Sequence, residues 1–294
     1  AMQSKLISES EIQEMLQFTS VSHAAAWLKR TPEYAKAWAD LDENSLHRGQ
    51  IEKLLKASIF KDFSKIYQFA NPEQRKFLDL YSRRYEIRVL KEIMTNLFDH
   101  KSTDAVDVSP YCDFFRRHSK LDLDRLTACT TMDEFINTLK GNEFYVPLSR
   151  IQNHDTALLF DYGMALDLYY FSMIWNVRKK LFSGKDLEQI TTAYGEKFDM
   201  LNLQFISRSK RYFSMAPADI YALLIPMNYK LKKEEITALV EASTREEAQQ
   251  IFRKTYYGKK YDHLSAHNLE EFYNYMLRTT LEKASRKDPY SVAM

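Results

Sequence analysis

Glycine, proline and cysteine are all scarce in this chain of 294 residues, which contains six glycines, seven prolines and two cysteines. Because glycine and proline mark turns and sheet loops, their scarcity favours long helices with few connections. The cysteines, Cys112 and Cys129, do not have the spacing of a metal site. With no signal peptide visible, we expect a reduced, cytosolic compartment.

Long hydrophobic runs and a strong charge of one sign are also absent. A bilayer-spanning helix needs about 20 apolar residues, whereas the best apolar stretch, residues 162–177, is shorter and contains Asp167. We therefore expect a buried helix there, and any membrane association through a partner. The formal net charge is only +2, from 42 basic and 40 acidic residues. No global field therefore attracts the chain to nucleic acid or to an anionic bilayer.

A long internal repeat is the main positive signal in the sequence. One block of five positions recurs without gaps at an offset of 111 residues and again at a further 113. Its copies are Ile12, Met15, Ser20, Ala24 and Leu28; Leu123, Leu126, Thr131, Phe135 and Leu139; and Ile236, Leu239, Thr244, Ala248 and Phe252. In a second block, at the offset of 113, Tyr81, Tyr85, Glu86 and Leu90 match Tyr194, Phe198, Asp199 and Leu203.

The repeat predicts an all-α protein built from three related helical-bundle modules, at residues 1–105, 106–217 and 218–294. A third copy of the second block would fall beyond the last residue. We therefore expect the third module to be incomplete, and both chain ends to be interior residues of a longer protein.

Helix-start signals recur at the same place in each predicted module. Thr131 with Glu134, and Thr244 with Glu247, have the spacing of a capping box, in which hydroxyl and carboxylate each accept from the first-turn backbone. Ser20 keeps the hydroxyl without the glutamate. Two capping boxes at one offset strengthen the prediction of a repeated helical module.

Apolar residues at helical spacing predict five long helices after these caps. The predicted ranges are about residues 45–69, 73–98, 156–182, 185–208 and 267–285. Asn71-Pro72 separates the first two helices, and Ser183-Gly184 separates the third from the fourth. A further helix is expected to begin at Asp288-Pro289.

Four segments carry a resemblance to a known protein family: the opening residues 1–12, residues 77–90, residues 194–203 and the terminal residues 288–294. Residues 194–203 include Asp199-Met-Leu-Asn202-Leu203, an Asp-x-x-Asn-hydrophobic pattern. In these features the chain resembles the C/d subunit family of rotary V-type and A-type ATPases, where this pattern is frequent. The first copy departs from it, since Val89 occupies the asparagine position.

The resemblance implies a funnel with approximate three-fold symmetry that joins the central stalk to the membrane rotor ring and turns with them. It implies a coupling role without catalysis, cofactor or small-molecule substrate. The expected partners are the central-stalk subunits and the rotor ring, with no nucleic acid. The expected location is peripheral, on the cytoplasmic face of the membrane.

The second repeated block provides the candidate partner-binding residues. We predict that they form a polar rim that meets an acidic partner surface, whereas the Tyr85/Phe198 and Leu90/Leu203 pairs lie in the core. The predicted set is Arg83, Arg84, Glu86, Arg88, Lys197, Asp199 and Asn202.

Two other classes of function stay open. Basic residues beside aromatic ones, as in Arg211-Tyr212-Phe213, are typical of nucleic-acid grooves, so a helical nucleic-acid-binding or scaffold protein is the alternative. Acidic residues balance these clusters, which favours solvated helix faces. His263 and His267 have the i, i+4 spacing of a helical metal site in an enzyme, but the glutamate of a zincin motif is missing. No GxGxxG, P-loop or GxSxG motif is present.

Overall fold

A computed structural model of the protein describes residues 7–39, 42, 44–99, 108–109, 111–152, 157–261 and 268–287. Over these residues the chain is all-α and contains no strand, which confirms the predicted fold class. The helices are α1 (Glu9–Met15), α2 (Val21–Arg30), α3 (Pro32–Trp38), α4 (Arg48–Phe69), α5 (Pro72–Phe98), α6 (Cys112–His118), α7 (Leu123–Thr127), α8 (Met132–Thr138), α9 (Tyr145–Gln152), α10 (Leu159–Leu181), α11 (Gly184–Tyr212), α12 (Pro217–Leu223), α13 (Lys233–Glu241), α14 (Arg245–Lys254), α15 (Tyr256–Tyr261) and α16 (Leu269–Lys287).

All five predicted long helices are present, as α4, α5, α10, α11 and α16. The predicted break at Asn71-Pro72 is the start of α5. Pro72 occupies the first turn, where no intrahelical N–H bond is lost. The Gln74 N–H donates to the Asn71 side chain at 2.9 Å, and the Asn71 N–H donates to the Gln74 side chain at 3.0 Å. The helix expected after Asp288 lies outside the described residues.

The three predicted caps have the same geometry. The hydroxyls of Ser20, Thr131 and Thr244 accept from the backbone N–H three residues later, at 3.1, 3.2 and 3.1 Å. In the second and third copies the glutamate accepts from the N–H of the residue before the cap, whereas a simple capping box uses the N–H of the cap residue itself. Glu134 accepts from the Thr130 N–H at 2.9 Å, and Glu247 from the Ser243 N–H at 2.7 Å. The repeat thus preserves even this departure from the simple capping box.

The chain folds as two compact units, the first formed by Ala1–Phe69 and Asp107–Leu123. One part of its core contains the buried side chains Ala25, Leu28, Trp38 and Ile51, contributed by α2, α3 and α4. Further along α4, Phe60 and Phe63 pack against Phe114 of α6, with 5.1 Å between ring centroids in both pairs. Aromatic area supplies much of the burial in this unit.

The second unit, formed by Ala70–Val106 and Asp124–Met294, contains the longest helices. Within it α10 packs against α5 and α11, and α11 packs against α16. Its main core joins α11 to α12, α13, α15 and α16 through fully buried residues such as Met200, Ile220, Val240, Tyr257 and Phe272. Both copies of the second repeated block lie in this unit, on α5 and α11.

The apolar stretch at residues 162–177 belongs to α10, which buries Tyr162, Leu166, Tyr170 and Ile174. In the part of the chain that is described, no helix is long and apolar enough to cross a membrane. The funnel with three-fold symmetry and the module bounds 1–105, 106–217 and 218–294 stay predictions, because a division into two compact units does not test a sequence repeat.

Candidate functional site

Asp199 of α11 is the centre of a buried polar cluster. Its side chain is fully buried, and its carboxylate accepts from the backbone N–H groups of Tyr229, Lys230 and Leu231 at 3.0, 2.6 and 2.9 Å. The Tyr257 hydroxyl donates to the same carboxylate at 2.9 Å. Four donors therefore converge on one side chain, and together they hold the chain before α13 against α11.

Burial and hydrogen bonding act in opposite directions on this carboxyl group. Burial raises the pKa of Asp199 above its ordinary value, whereas the three backbone donors and the Tyr257 hydroxyl lower it, and burial has the larger effect. Burial beside this carboxylate also raises the pKa of Tyr257, which keeps its hydroxyl protonated as a donor.

Asn202, one helical turn further along α11, extends the same attachment. Its side-chain amide donates to the Ile225 carbonyl at 3.0 Å, and its carbonyl accepts from the Ile225 N–H at 2.8 Å. The Ile225 N–H thereby gains an acceptor in the interior, where unpaired groups are costly, and the Ile225 carbonyl gains a donor beside the Met227 N–H, which lies at 2.8 Å. The Asp-x-x-Asn pattern thus works as a clamp, formed by Asp199, Asn202 and Tyr257, on residues 225–231.

A close backbone approach accompanies this clamp. A Cβ atom on Gly195 would lie 2.4 Å from Cγ of Tyr229, far inside van der Waals contact. Glycine at this position allows the Tyr229 side chain to lie directly on α11, beside the residues that hold its N–H.

The matching block on α5 has different polar chemistry. Glu86, the counterpart of Asp199, is also buried, but it accepts from the Arg83 guanidinium at 3.4 Å. Arg83 makes a closer ion pair with Glu143, at 2.7 Å. Val89, the counterpart of Asn202, is fully buried and has no polar side-chain atom. This block therefore lacks the amide half of the clamp.

The outer face of both blocks carries cations among tyrosines. The Arg84 guanidinium of α5 lies 4.9 Å from the ring centroid of Tyr81 and 5.6 Å from that of Tyr85. It also donates to the Tyr81 hydroxyl at 2.5 Å. The Lys197 ammonium of α11 lies 5.8 Å from the ring centroid of Tyr194. We call Arg84, Lys197 and the tyrosines around them the Arg84–Lys197 cluster.

The structure divides the predicted partner-binding residues into two groups. Arg84 and Arg88 are exposed and Lys197 is partly exposed, so these three can meet a partner directly. Glu86, Asp199 and Asn202 are buried and cannot contact a partner in this conformation, because their polar atoms face the interior. Arg83 belongs to neither group. Its side chain is only 22% exposed and pairs with two glutamates.

Sequence reasoning missed several residues of this region, among them Tyr229 and Tyr257. Tyr257 had a detectable signal, because the same offset of 113 residues relates it to Phe144, and both are fully buried. The two copies differ there by one hydroxyl group, the one that donates to Asp199. No pattern in the sequence indicates that Tyr229 packs on Gly195.

The two candidate metal ligands, His263 and His267, lie outside the described residues. Within the ranges that are described, no group of three or more His, Cys, Asp or Glu side chains has a metal-binding arrangement. Asp167 pairs with Lys91 of α5 at 2.6 Å.

The described residues are all-helical, and the two matching sequence blocks lie on α5 and α11, where the second forms a clamp on the following segment. Comparison with known proteins identifies the family. The chain belongs to the ATP synthase (C/AC39) subunit family, whose model matches residues 1–294. The predicted resemblance to the C/d subunits of rotary ATPases is therefore confirmed.

One curated relative is the C subunit of the A-type ATP synthase of Methanothermobacter thermautotrophicus. It is 21% identical to this chain over 243 residues, which cover 81% of the chain and 59% of the relative. The chain thus matches somewhat more than half of that relative's length.

Proposed function

We propose that the protein is a non-catalytic coupling subunit of a rotary V-type or A-type ATPase. In this proposal it joins the central stalk to the membrane rotor ring and transmits torque during ATP-linked proton or sodium transport. The family match across residues 1–294 is the observation that supports it most strongly. Its location would be peripheral, on the cytoplasmic face of the membrane, with membrane contact only through the ring.

The packing of the long helices and the attachment of the segment before α13 support this role. Torque transmission needs elements that resist bending, and the second unit has four long helices packed side by side, α5, α10, α11 and α16. The buried clamp of Asp199 and Asn202 attaches the segment before α13 to α11 by backbone hydrogen bonds. A load on that segment would pass directly into α11.

The proposal includes the predicted partners and the predicted shape. Three helical modules around an axis would create a concavity that receives the tip of the central stalk, and the opposite end would meet the rotor ring. The residues expected to face a partner are the exposed members of the predicted set, Arg84 and Arg88, and the partly exposed Lys197. The protein would need no cofactor, small-molecule substrate or nucleic acid.

The test is co-purification of the full-length protein with the central-stalk subunits of its own organism, followed by size exclusion with light scattering. We expect a stable one-to-one complex. Arg88→Glu tests the predicted surface, because Arg88 is exposed. Lys179→Glu is the matched control, since Lys179 is an exposed cation at the far end of α10. Arg83 is unsuitable, because a glutamate there would lie against Glu86 and Glu143.

Absence of a complex at both low and moderate salt would overturn the coupling role. Polynucleotide binding with a steep salt dependence would then favour the alternative class, a helical nucleic-acid-binding protein. A complex that Arg88→Glu and Lys179→Glu leave equally intact would keep the coupling role and remove Arg88 from the interface.

A further inference from the structure

Arg84 and Lys197 are near enough for the charge of Arg84 to act on Lys197, and among the described residues neither has an acidic partner of its own. Each approaches aromatic rings, with the Lys197 ammonium 6.0 Å from the ring centroid of Phe171 and the Arg84 guanidinium against Tyr81. Over the described ranges, neither Arg84 nor Lys197 forms an ion pair. The acid facing Lys197 is Asp167, which is already paired with Lys91 at 2.6 Å. The cluster therefore carries two positive charges that the fold does not balance.

This arrangement is unfavourable for the isolated chain. Burial, together with the positive charge of Arg84, lowers the pKa of Lys197 to about 8, while Asp167 acts in the opposite direction. A group with a lowered pKa of this kind is held in the charged state at the expense of stability. An anion bound between the two cations would offset that cost.

The surroundings of the cations are suited to a protein side chain. Tyrosines from four helices interact with Arg84: Tyr81 and Tyr85 of α5, Tyr170 of α10, Tyr194 of α11 and Tyr273 of α16. Burial raises the pKa of Tyr85 and of Tyr273, so their hydroxyls stay protonated. Tyrosine and arginine together are the residues most enriched at the energetic centres of protein interfaces.

We propose that Arg84 and Lys197 jointly bind one carboxylate, presented by an acidic side chain of a partner protein, while the tyrosines provide the surrounding contact area. A bilayer or a polynucleotide requires an extended basic surface, whereas this chain has 42 basic against 40 acidic residues. A local pair of cations flanked by aromatic rings matches a single acidic side chain better. The carboxylate site rests on the proposed coupling function in one respect, the identity of the partner protein.

The first experiment uses a glutamate-rich helical peptide as the probe, titrated into the full-length protein at pH 7 in low salt. We expect saturable binding that Arg84→Gln and Lys197→Gln each weaken about tenfold or more, as for a closely paired interfacial charge. The double variant should bind little worse than either single variant, because both cations act on one carboxylate. Lys179→Gln is the control and should bind like the natural protein.

A pH series separates a charge effect from a structural one. Lys197 faces Arg84 of α5, Asp167 of α10 and Tyr194 of its own helix. Of these groups, Lys197 is the one with a pKa near 8. Peptide binding should therefore weaken between pH 7 and pH 9, and Lys197→Arg should restore binding at pH 9, because arginine stays charged.

The outcomes distinguish the two proposals. Unchanged peptide binding in both single variants, or no saturable peptide binding, would overturn the carboxylate site even if the stalk complex forms. Binding of anionic phospholipid vesicles or of pyrophosphate that depends on Arg84, without peptide binding, would overturn it in favour of a phosphate ligand. Peptide binding without a stalk complex would support the site and overturn the coupling role. Thermal unfolding of each variant shows that the loss of binding is not a loss of fold.

Discussion

The blocks on α5 and α11 share one sequence template but differ in how their polar groups are satisfied. On α11, Asp199 accepts from three backbone N–H groups and one hydroxyl, all from residues that follow in sequence. On α5, the equivalent Glu86 accepts from Arg83 of the same helix. The repeat therefore fixes which positions are buried, whereas individual substitutions decide whether a block holds the next segment of the chain.

The two blocks also differ in how much each polar contact contributes to the stability of the fold. A backbone N–H in the interior has few alternative partners, so losing its acceptor is costly. A partly exposed ion pair such as Arg83–Glu143 has water as an alternative, and its contribution is correspondingly smaller. Substitutions at matched positions of the two blocks should therefore have unequal effects on stability.

The largest effect is expected at the centre of the clamp. Asp199→Leu leaves three backbone N–H groups and the Tyr257 hydroxyl without their acceptor, which should lower the free energy of unfolding by about 4 kcal/mol or more. Glu86→Leu is the matched change on α5 and should cost roughly half as much. Chemical denaturation followed by circular dichroism measures both, and equal losses would contradict the comparison.

The second effect is expected when the residue at the asparagine position of one block is replaced by its counterpart in the other block. Asn202→Val, which makes α11 like α5, removes the acceptor of the Ile225 N–H and one of two donors to the Ile225 carbonyl, which also accepts from the Met227 N–H. It should cost about 2 kcal/mol. Val89→Asn should also destabilise, by about 2 kcal/mol, because it buries an amide at a fully buried position. Urea unfolding of the two variants is the measurement. A neutral Asn202→Val would show that the Ile225 N–H finds another acceptor.

The third effect concerns the close approach of Tyr229. Gly195→Ala should cost about 1 to 3 kcal/mol, because the added Cβ would lie 2.4 Å from Cγ of Tyr229 and displace that residue from Asp199. Gly163→Ala is the control on α10, where the nearest atom is Cε of Lys91 at 3.7 Å. There we expect a gain of about 0.5 to 1 kcal/mol, as is usual for replacing glycine within a helix. Thermal unfolding should therefore shift in opposite directions.

The smallest effect is expected at the repeated caps, where the copies are alike. Thr131→Ala and Thr244→Ala each remove one first-turn hydrogen bond, of 3.2 and 3.1 Å. Each should lower stability by about 1 kcal/mol. Here the comparison predicts equality, and a difference above about 1 kcal/mol between the two variants would show that the caps are not equivalent.

Much of the fold was predictable from the sequence because its signals are local. The apolar spacing in α4, the Asn71-Pro72 start of α5 and the hydroxyl at Thr244 each act within about one helical turn. The repeat places similar helix signals at matching positions of the chain, and all five predicted long helices are present.

The candidate site was less predictable because its contacts are distant in sequence. Asp199 and Asn202 were identified as important, but their polar residue type suggested a surface. Their burial depends on residues 225–231 and on Tyr257, which lie 23 to 58 positions away. Sequence spacing on one helix cannot show which backbone groups another segment brings to that helix. The proximity of Arg84 and Lys197 likewise results from the packing of α10 against both α5 and α11.

The first unit is assembled from two stretches of chain, Ala1–Phe69 and Asp107–Leu123, with α5 made between them. During synthesis, Phe60 and Phe63 emerge well before Phe114, the ring on which both pack. This unit therefore cannot complete its aromatic core until α6 has left the ribosome, by which time all of α5 has already emerged. A chain ended at residue 105, the predicted edge of the first module, would leave those two rings uncovered and prone to association.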